Sequence, residues 1–413
     1  MEIVRSELIP RPHLIAKLEE HRGTPDVKVL TGVRRCGKSS LMRLFVDGLL
    51  GEGVPKQNIF FKRLDDFDVP LDYDAAQLLA DVQQAAQATL PDMPFYVFLD
   101  EIQTVPGWEH VVRRLHTRAA TDVYVTGSNA QILAGDLATH LTGRYVEIGV
   151  CPLSFSEYCQ FAHAAGEDAD SSEQALGSYL RFGGMPGLFA LKKRSEDTVR
   201  QELQGIYQSI VFTDVAQRHG IRDLASLEKL SRYLFSTAGG LFSVRNVAQA
   251  LVAAGVRTSV TAVDNQVRAL EHAYVVYRAE QAGIRGKQIL RPRSKYYPVD
   301  NGFRNLVNGF DGRDLGAQLE GVVYMELRRR GWSVNVGTDG ETEIDFVATK
   351  GSRKQYVQVT ASMVDESTRE RELRPLRTLS DAFPRMVITL DPYSVGLTVD
   401  GVEVVSAPVW LAG

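Results

Sequence analysis

Short apolar segments alternate with amphipathic segments along the first third of the chain. Five apolar or β-branched runs predict strands, at 27–31, 58–63, 95–99, 122–125 and 144–150. Helical periodicity between these runs is typical of a parallel sheet with helices on its faces. The run at 95–99, FYVFL, is apolar throughout, which indicates a central strand covered on both sides. The first third is therefore predicted to form an α/β domain.

The pattern changes in the middle of the chain and changes back near its end. Three-to-four spacing of apolar residues predicts helices at 227–237, 244–253 and 260–272, before extended segments at 274–279 and 288–299. Three helices followed by a β-hairpin is the element order of a winged helix. The last third returns to mixed helices and strands, with helices predicted at 317–330 and 366–379 and strands at 334–336, 343–348, 355–360 and 385–389. We predict three domains: 1–160, 161–300 with the winged helix, and 301–413.

Composition narrows the class of protein. A length of 413 residues suits two or three domains, and the net charge of −4 argues against a wholly basic nucleic-acid-binding surface. No apolar run approaches the ~18 residues that a membrane span needs. The N-terminus lacks the features of a signal peptide, and the three cysteines follow no disulfide or metal-ligand spacing. We expect a cytoplasmic protein with reduced thiols and no membrane partner.

The first predicted strand ends in a phosphate-binding loop. The pattern GxxxxGK[ST] is matched from Gly32 to Ser39, between a predicted strand and a predicted helix. The two glycines let backbone N–H groups point at phosphate oxygens, the lysine adds positive charge, and the serine hydroxyl ligates Mg²⁺. The predicted nucleotide-binding residues are Gly32, Val33, Arg34, Arg35, Cys36, Gly37, Lys38, Ser39 and Ser40. Cys36 is either a thiol activated by the loop dipoles and Lys38 or a buried, inert one.

Two acids follow the third predicted strand. Asp100 is placed to hold Mg²⁺ together with Ser39, and Glu101 to orient and deprotonate the attacking water. An Asp-Glu pair after a strand is a weak signal alone, and the preceding phosphate loop makes it a strong one. The sequence therefore predicts a site for ATP and Mg²⁺.

Several longer segments carry a family resemblance. The fourth predicted strand ends in TGSN, which resembles sensor 1 of AAA+ ATPases and favours Asn129, with Ser128 second, as a γ-phosphate sensor. The runs DEIQTVPGWEHVVRRL, SNAQILAGDLATHLTGRY, CPLSFSEY, RFGGMPGLF and LEGVVYMELRRRGWSV resemble a prokaryotic AAA+ ATPase family with a C-terminal domain of unknown function. The resemblance implies ATP-driven conformational work. It also implies an arginine that acts on the γ-phosphate, Arg144, in cis or across a subunit interface, and a lid over the adenine at Pro186.

The last domain resembles a restriction-endonuclease core. The resemblance implies two metal-binding acids, Glu320 and Asp345, supported by Gln358. Thr360 stands where the family has its lysine, and we therefore expect the domain to bind without cutting. The predicted wing is basic, with no acid among Arg285, Lys287, Arg291, Arg293 and Lys295, which suits phosphate contacts.

Three functions stay open on the sequence. The first is an ATPase that acts as a molecular switch on DNA or on a protein partner, alone or as an oligomer. The second is an ATP-gated, Mg²⁺-dependent nuclease, which the missing lysine disfavours. The third is a binding module with ATP as a structural ligand, which the presence of Glu101 disfavours.

Overall fold

The computed structural model describes residues 8–130, 143–167, 169–283, 294–339, 342–396 and 398–413. The chain forms two compact units. The first ends at Cys151 and also includes His272–Tyr274, and the second contains the remainder from Pro152 onward. The division lies slightly before the predicted boundary at 160/161. Within the described residues, no helix is both long and apolar enough to cross a membrane.

The first unit is built on a parallel sheet of five strands in the order β2-β3-β4-β1-β5. The strands are β1 Val27–Thr31, β2 Ile59–Arg63, β3 Phe95–Asp100, β4 Thr121–Gly127 and β5 Tyr145–Gly149. The helices are α1 Pro12–Glu20, α2 Lys38–Gly51, α3 Ala75–Gln87 and α4 Trp108–His116. All five predicted strands and the parallel α/β character are confirmed.

Apolar burial fixes the sheet of the first unit. β1 and β3 are buried at every position, because helices cover both faces of the central strands. Val97 and Leu99 of β3 pack in one core cluster with Leu78 of α3 and Val112 of α4. Since β1, β4 and β3 are parallel neighbours, their carboxyl ends meet at one edge of the sheet. That edge receives the polar residues that follow each strand.

The second unit combines helices with a large mixed sheet. Its helices are α5 Phe155–Ala164, α6 Ser172–Phe182, α7 Glu196–Ser209, α8 Leu224–Ser236, α9 Val244–Ala253, α10 Val260–His272, α11 Asn301–Asn308, α12 Leu315–Arg329, α13 Glu366–Arg377 and α14 Ala407–Ala412. Its strands are β6 Leu241–Phe242, β7 Val276–Gly283, β8 Ser294–Pro298, β9 Ser333–Asp339, β10 Thr342–Lys350, β11 Arg353–Thr360, β12 Arg385–Thr389, β13 Thr398–Val399 and β14 Val402–Ser406.

Nine strands form the sheet of the second unit, in the order β13-β14-β12-β11-β10-β9-β7-β8-β6. β7 and β8 form the predicted antiparallel hairpin after α8, α9 and α10. β7 also pairs in parallel with β9, so strands on both sides of the predicted boundary at 300/301 belong to one sheet. α12 packs against β9, β10 and β11, and this contact brings its polar residues towards the hairpin and β10.

Periodicity predicted some helices of the second unit and missed others. The helices predicted at 244–253 and 260–272 are confirmed residue for residue. α5, α6, α7 and α11 were not predicted. α5 is nevertheless well marked, because Ser154 and Glu157 form a reciprocal capping box around its first turn.

Candidate functional site

Two positions of the phosphate loop require glycine. Gly32 has φ 145°, and a Cβ atom there would lie 2.0 Å from the carbonyl oxygen of Val150. Gly37 has φ 103° and immediately precedes α2, which begins at Lys38. The loop therefore directs backbone N–H groups and the positive end of α2 towards one point beyond β1.

Lys38 is held inside this loop. Its side chain is buried, and its Nζ donates to the carbonyl oxygens of Gly32, at 3.0 Å, and Val33, at 3.1 Å. Both acceptors are neutral carbonyl oxygens, so neither of them neutralises the positive charge of the ammonium. Phosphate oxygens, which carry negative charge, would bind it more strongly than these neutral carbonyl oxygens do.

Asp100 joins the loop to the neighbouring strands. It is the last residue of β3 and is fully buried. Its Oδ1 accepts from Ser39 Oγ at 3.0 Å and from Thr126 Oγ1 at 2.6 Å. Its Oδ2 is buried, and none of the described residues donates a hydrogen bond to it. A buried carboxylate oxygen without a donor, beside a serine hydroxyl, fits a Mg²⁺ ion, which prefers oxygen ligands.

Glu101 adopts a strained backbone conformation beside Asp100. Its φ of 55° lies in the left-handed region, which non-glycine residues rarely occupy. Its backbone N–H donates to Thr126 Oγ1 at 2.9 Å, and its carboxylate accepts from Gln103 Nε2. The turn carries the half-buried side chain away from the strand, where a carboxylate can act on water.

Two contributors to the site were missed from the sequence. Thr126, near the end of β4, bonds both acids of the pair through one hydroxyl. Arg11, buried ahead of α1, donates from Nη1 to the carbonyl oxygens of Cys36, at 3.2 Å, and Cys151, at 3.0 Å. A threonine at the carboxyl end of a central strand was a usable signal, whereas the sequence around Arg11 gave none.

The Cys36 thiol is buried within the loop. Burial raises its pKa, and the nearby charges of Lys38 and Arg11 oppose that rise without cancelling it. The structure therefore favours the inert thiol over the activated one.

The other predicted site residues fall in three places. Ser128 and Asn129 are buried directly after β4, at the same edge as the loop. Arg144 is exposed just before β5, where its carbonyl oxygen accepts from Val27 at the start of β1. The phosphate loop follows the other end of β1, about 13 Å away at ~3.3 Å per residue. Action of Arg144 in cis is therefore wrong, and action across a subunit interface stays a prediction.

Pro186 begins a short 3₁₀ segment, Pro186–Ala190, in the second unit. The turn before it is fixed inside that unit, since the Gly184 N–H donates to Asp300 Oδ2 at 2.6 Å. Its predicted role over the adenine stays a prediction. Within the loop, Arg34 and Ser40 are half-buried and Arg35 is exposed with φ 64°.

Lys295 does not belong to a basic phosphate-binding surface. Its side chain is only 5% exposed, and its Nζ lies 2.7 Å from Glu343 and 3.2 Å from Glu320. A buried lysine that pairs with carboxylates offers no charge to DNA, so the prediction is wrong for this residue. The other four basic residues of the predicted wing, Arg285, Lys287, Arg291 and Arg293, lie outside the described residues.

Fold and loop together define a P-loop nucleotide-binding protein. A family described as an AAA domain matches residues 24–159, and a domain of unknown function matches residues 173–314. An uncharacterized protein of Haemophilus influenzae is 36% identical over 98% of both chains. An uncharacterized protein of Methanocaldococcus jannaschii is 27% identical over 84% of this chain and 77% of its own.

A solved structure supports the same fold. A Walker-type ATPase of Pyrococcus abyssi superposes with a TM-score of 0.51 and 15% identity, over 74% of this chain and 97% of its own. The chain belongs to the prokaryotic AAA+ ATPase family that carries a C-terminal domain of unknown function.

Proposed function

We propose that this protein binds and hydrolyses Mg-ATP and uses the cycle as a molecular switch on DNA. The observation that supports it best is Asp100, a buried carboxylate with one oxygen bonded to Ser39 and Thr126 and the other left for a cation. A purely structural aspartate at a strand end would be expected to have both oxygens satisfied.

The loop and the two acids after β3 then have separate roles. The backbone of the loop and Lys38 bind the β- and γ-phosphates, and Ser39 and Asp100 hold Mg²⁺. A bound Mg²⁺ would supply positive charge next to the phosphate oxygens that Lys38 and the loop hold. Glu101 orients the attacking water and takes its proton. Strain at Glu101 supports this assignment, because strained residues concentrate at functional sites.

Three further contacts complete the proposal. Asn129 reports the presence of the γ-phosphate, Pro186 belongs to the lid over the adenine, and Arg144 acts on a neighbouring subunit's nucleotide. The exposed side chain of Arg144, at the edge opposite its own loop, favours the last of these. An oligomer would then be the active form.

DNA is the partner that we place first. The order of α8, α9 and α10 before the β7–β8 hairpin suits a winged helix, and the sequence between the two strands is basic. Contacts from that segment would be to phosphates, and binding would weaken steeply with salt. A protein that docks on the same helices is the alternative partner. A cytoplasmic location stays a prediction from the sequence.

Anisotropy of labelled duplex DNA tests the switch. Glu101→Gln protein, which should bind ATP without hydrolysing it, is titrated with saturating Mg-ATP and separately with Mg-ADP. We expect different affinities in the two states and a strong decrease with salt. Equal affinities would contradict a nucleotide switch on DNA, and no binding at low salt would point to the protein partner.

A further inference from the structure

Four charged side chains from three elements meet inside the second unit. Lys295 projects from β8, Glu320 from α12, and Glu343 and Asp345 from β10. Lys295 Nζ lies 2.7 Å from Glu343 Oε1, 3.2 Å from Glu320 Oε1 and 4.0 Å from Asp345 Oδ1. We call these four residues the Lys295 cluster. One ammonium thus faces three carboxylates.

The ammonium of Lys295 offsets the negative charge of the three carboxylates around it. The side chains of Lys295, Glu320 and Asp345 are only 5%, 15% and 12% exposed, so little water screens the charges. Glu320 also accepts from Tyr297 Oη at 2.6 Å. Loss of the ammonium would leave carboxylates facing one another in a poorly solvated space, which is strongly destabilising.

A restriction-endonuclease-like core implies a divalent metal at Glu320, Asp345 and Gln358, and the arrangement here does not fit one. Gln358 Oε1 accepts from the backbone N–H of Asp345 at 3.2 Å, and its Nε2 donates to Glu372 at 2.8 Å. Asp345 Oδ2 accepts from the backbone N–H of Val359 at 2.9 Å. Gln358 Oε1 and Asp345 Oδ2, two of the oxygens that this metal would need, are therefore already bonded within the protein.

The remaining features agree with this misfit. Thr360 Oγ1 donates to the carbonyl oxygen of Ser362 at 3.1 Å, which fixes the side chain in its own turn. Across the described ranges, no three His, Cys, Asp or Glu side chains are placed to share a metal ion. Mg²⁺ in particular demands near-ideal octahedral geometry and gives up its water reluctantly.

We propose that the ammonium of Lys295 is a built-in replacement for the metal ion at this position of the fold. A lysine ammonium is a compact charge with three donors, which suits a position between several carboxylates. Because it is tethered to β8, it fixes the hairpin to α12 and β10 without any dissolved ion. The second unit would then keep its arrangement at any metal concentration, and only the nucleotide site would respond to Mg²⁺.

Mn²⁺ binding to the full chain, measured by the loss of the free Mn²⁺ electron-spin-resonance signal without nucleotide, tests this replacement. An Asp100→Asn background removes the carboxylate of the nucleotide site, so that only other sites contribute. In that background, addition of Asp345→Asn should leave the number of bound Mn²⁺ ions unchanged. A loss of one ion per chain on addition of Asp345→Asn would overturn the proposal, because the cluster would then hold a metal with Lys295 present.

Lys295→Met supplies the converse test. The variant keeps the apolar stem of the side chain and removes the ammonium. The oxygens of Glu320 and Glu343 that the ammonium holds are then free to rearrange around an ion, so the chain should gain one Mn²⁺. Asp345→Asn should abolish that gain. Lys354→Met is the matched control, since Lys354 lies in the same sheet but pairs with the single carboxylate of Asp381, at 3.3 Å, and is 25% exposed. A folded Lys295→Met protein that binds no additional Mn²⁺ would contradict the proposal.

Discussion

The phosphate loop and the Lys295 cluster both combine a buried lysine with acidic residues, but they arrange the charges differently. In the loop, Lys38 bonds only to neutral carbonyl oxygens, and Asp100 keeps one oxygen without a donor among the described residues. In the cluster, Lys295 is bonded directly to carboxylates. One lysine can exchange its partners for phosphate, and the other cannot leave without exposing uncompensated charge.

The comparison separates a site for ligands from a structural ion cluster. Lys38 can exchange its carbonyl partners, because phosphate oxygens carry negative charge and bind an ammonium more strongly than neutral carbonyl oxygens do. Lys295 cannot exchange its carboxylate partners in the same way, because removal of one partner from a buried ion pair destabilises the fold by several kcal/mol. A lysine in a conspicuous acidic environment is therefore not by itself evidence for chemistry. What matters is whether its partners can be replaced.

The largest expected effect is at Glu101. Glu101→Gln keeps the shape of the side chain and removes the base, so ATP turnover should fall by ~10²–10⁴ while ATP stays bound. Phosphate release and a calorimetric titration measure the two properties. Glu52→Gln, at an exposed glutamate that pairs with Arg22, should change neither. Equal turnover in Glu101→Gln would transfer the role of base to Asp100.

A second prediction concerns pH and a buried acid of the second unit. Burial raises the pKa of Asp300 to about 6, opposed by hydrogen bonds from the backbone of Gly184 and Gly302. The folded state therefore holds this proton more tightly than the unfolded state. The resulting stabilisation is complete below the ordinary pKa near 4 and is lost as pH rises through 6. At about 1.4 kcal/mol per pKa unit, it amounts to at most about 3 kcal/mol.

Urea unfolding between pH 4 and pH 7 measures this contribution. The free energy of unfolding of the wild type, relative to Asp300→Asn, should decrease as pH rises over that interval. A constant difference between the two proteins would show that Asp300 has the same pKa folded and unfolded. The carboxylate of Asp300 would then behave like an exposed one, against its full burial.

Lys38→Ala tests whether the loop lysine indeed exchanges its partners. Without the ammonium, affinity for Mg-ATP should fall roughly tenfold or more, because a charge that faces the β- and γ-phosphates is lost. Lys62→Ala is a suitable control in the same unit, since Lys62 lies in β2 and pairs with Asp81 near the surface. Unchanged affinity in Lys38→Ala, measured by calorimetry, would end the assignment of the phosphate loop.

Features that depend on neighbouring residues in the chain could be predicted from the sequence, and features that depend on contacts between distant residues could not. Strands β1 to β5 and the loop from Gly32 were predictable, because apolar runs and glycine positions are local patterns. Asp100 and Glu101 were predictable from their position after a strand. Thr126 was passed over in favour of Asn129, because a place at the end of a central strand marks both residues and only packing decides which of them reaches the acids.

Long-range pairing accounts for what the sequence could not supply. Arg144 was expected near the γ-phosphate, but the parallel pairing of β5 with β1 puts the start of β5 at the far edge. Lys295 was grouped with neighbouring basic residues, and only the packing of β8 with α12 and β10 brings it to Glu320 and Glu343. Arg144 was assigned from the family resemblance and Lys295 from its sequence neighbours, and in both cases the order of the strands decides where the charge lies.

The smallest expected effect is at Thr126, and it tests whether the hydroxyl positions the two acids. Thr126→Val keeps the branched shape and removes the bonds to Asp100 Oδ1 and from the Glu101 N–H. The bond to Asp100 Oδ1, which positions the proposed Mg²⁺ ligand, is worth ~1 kcal/mol net, so its loss should lower turnover about fivefold, with little change in ATP affinity. Thr126→Ser keeps the hydroxyl and should retain most of the activity. If the serine and valine variants lose turnover equally, the methyl group and strand packing matter at this position, and the hydroxyl does not.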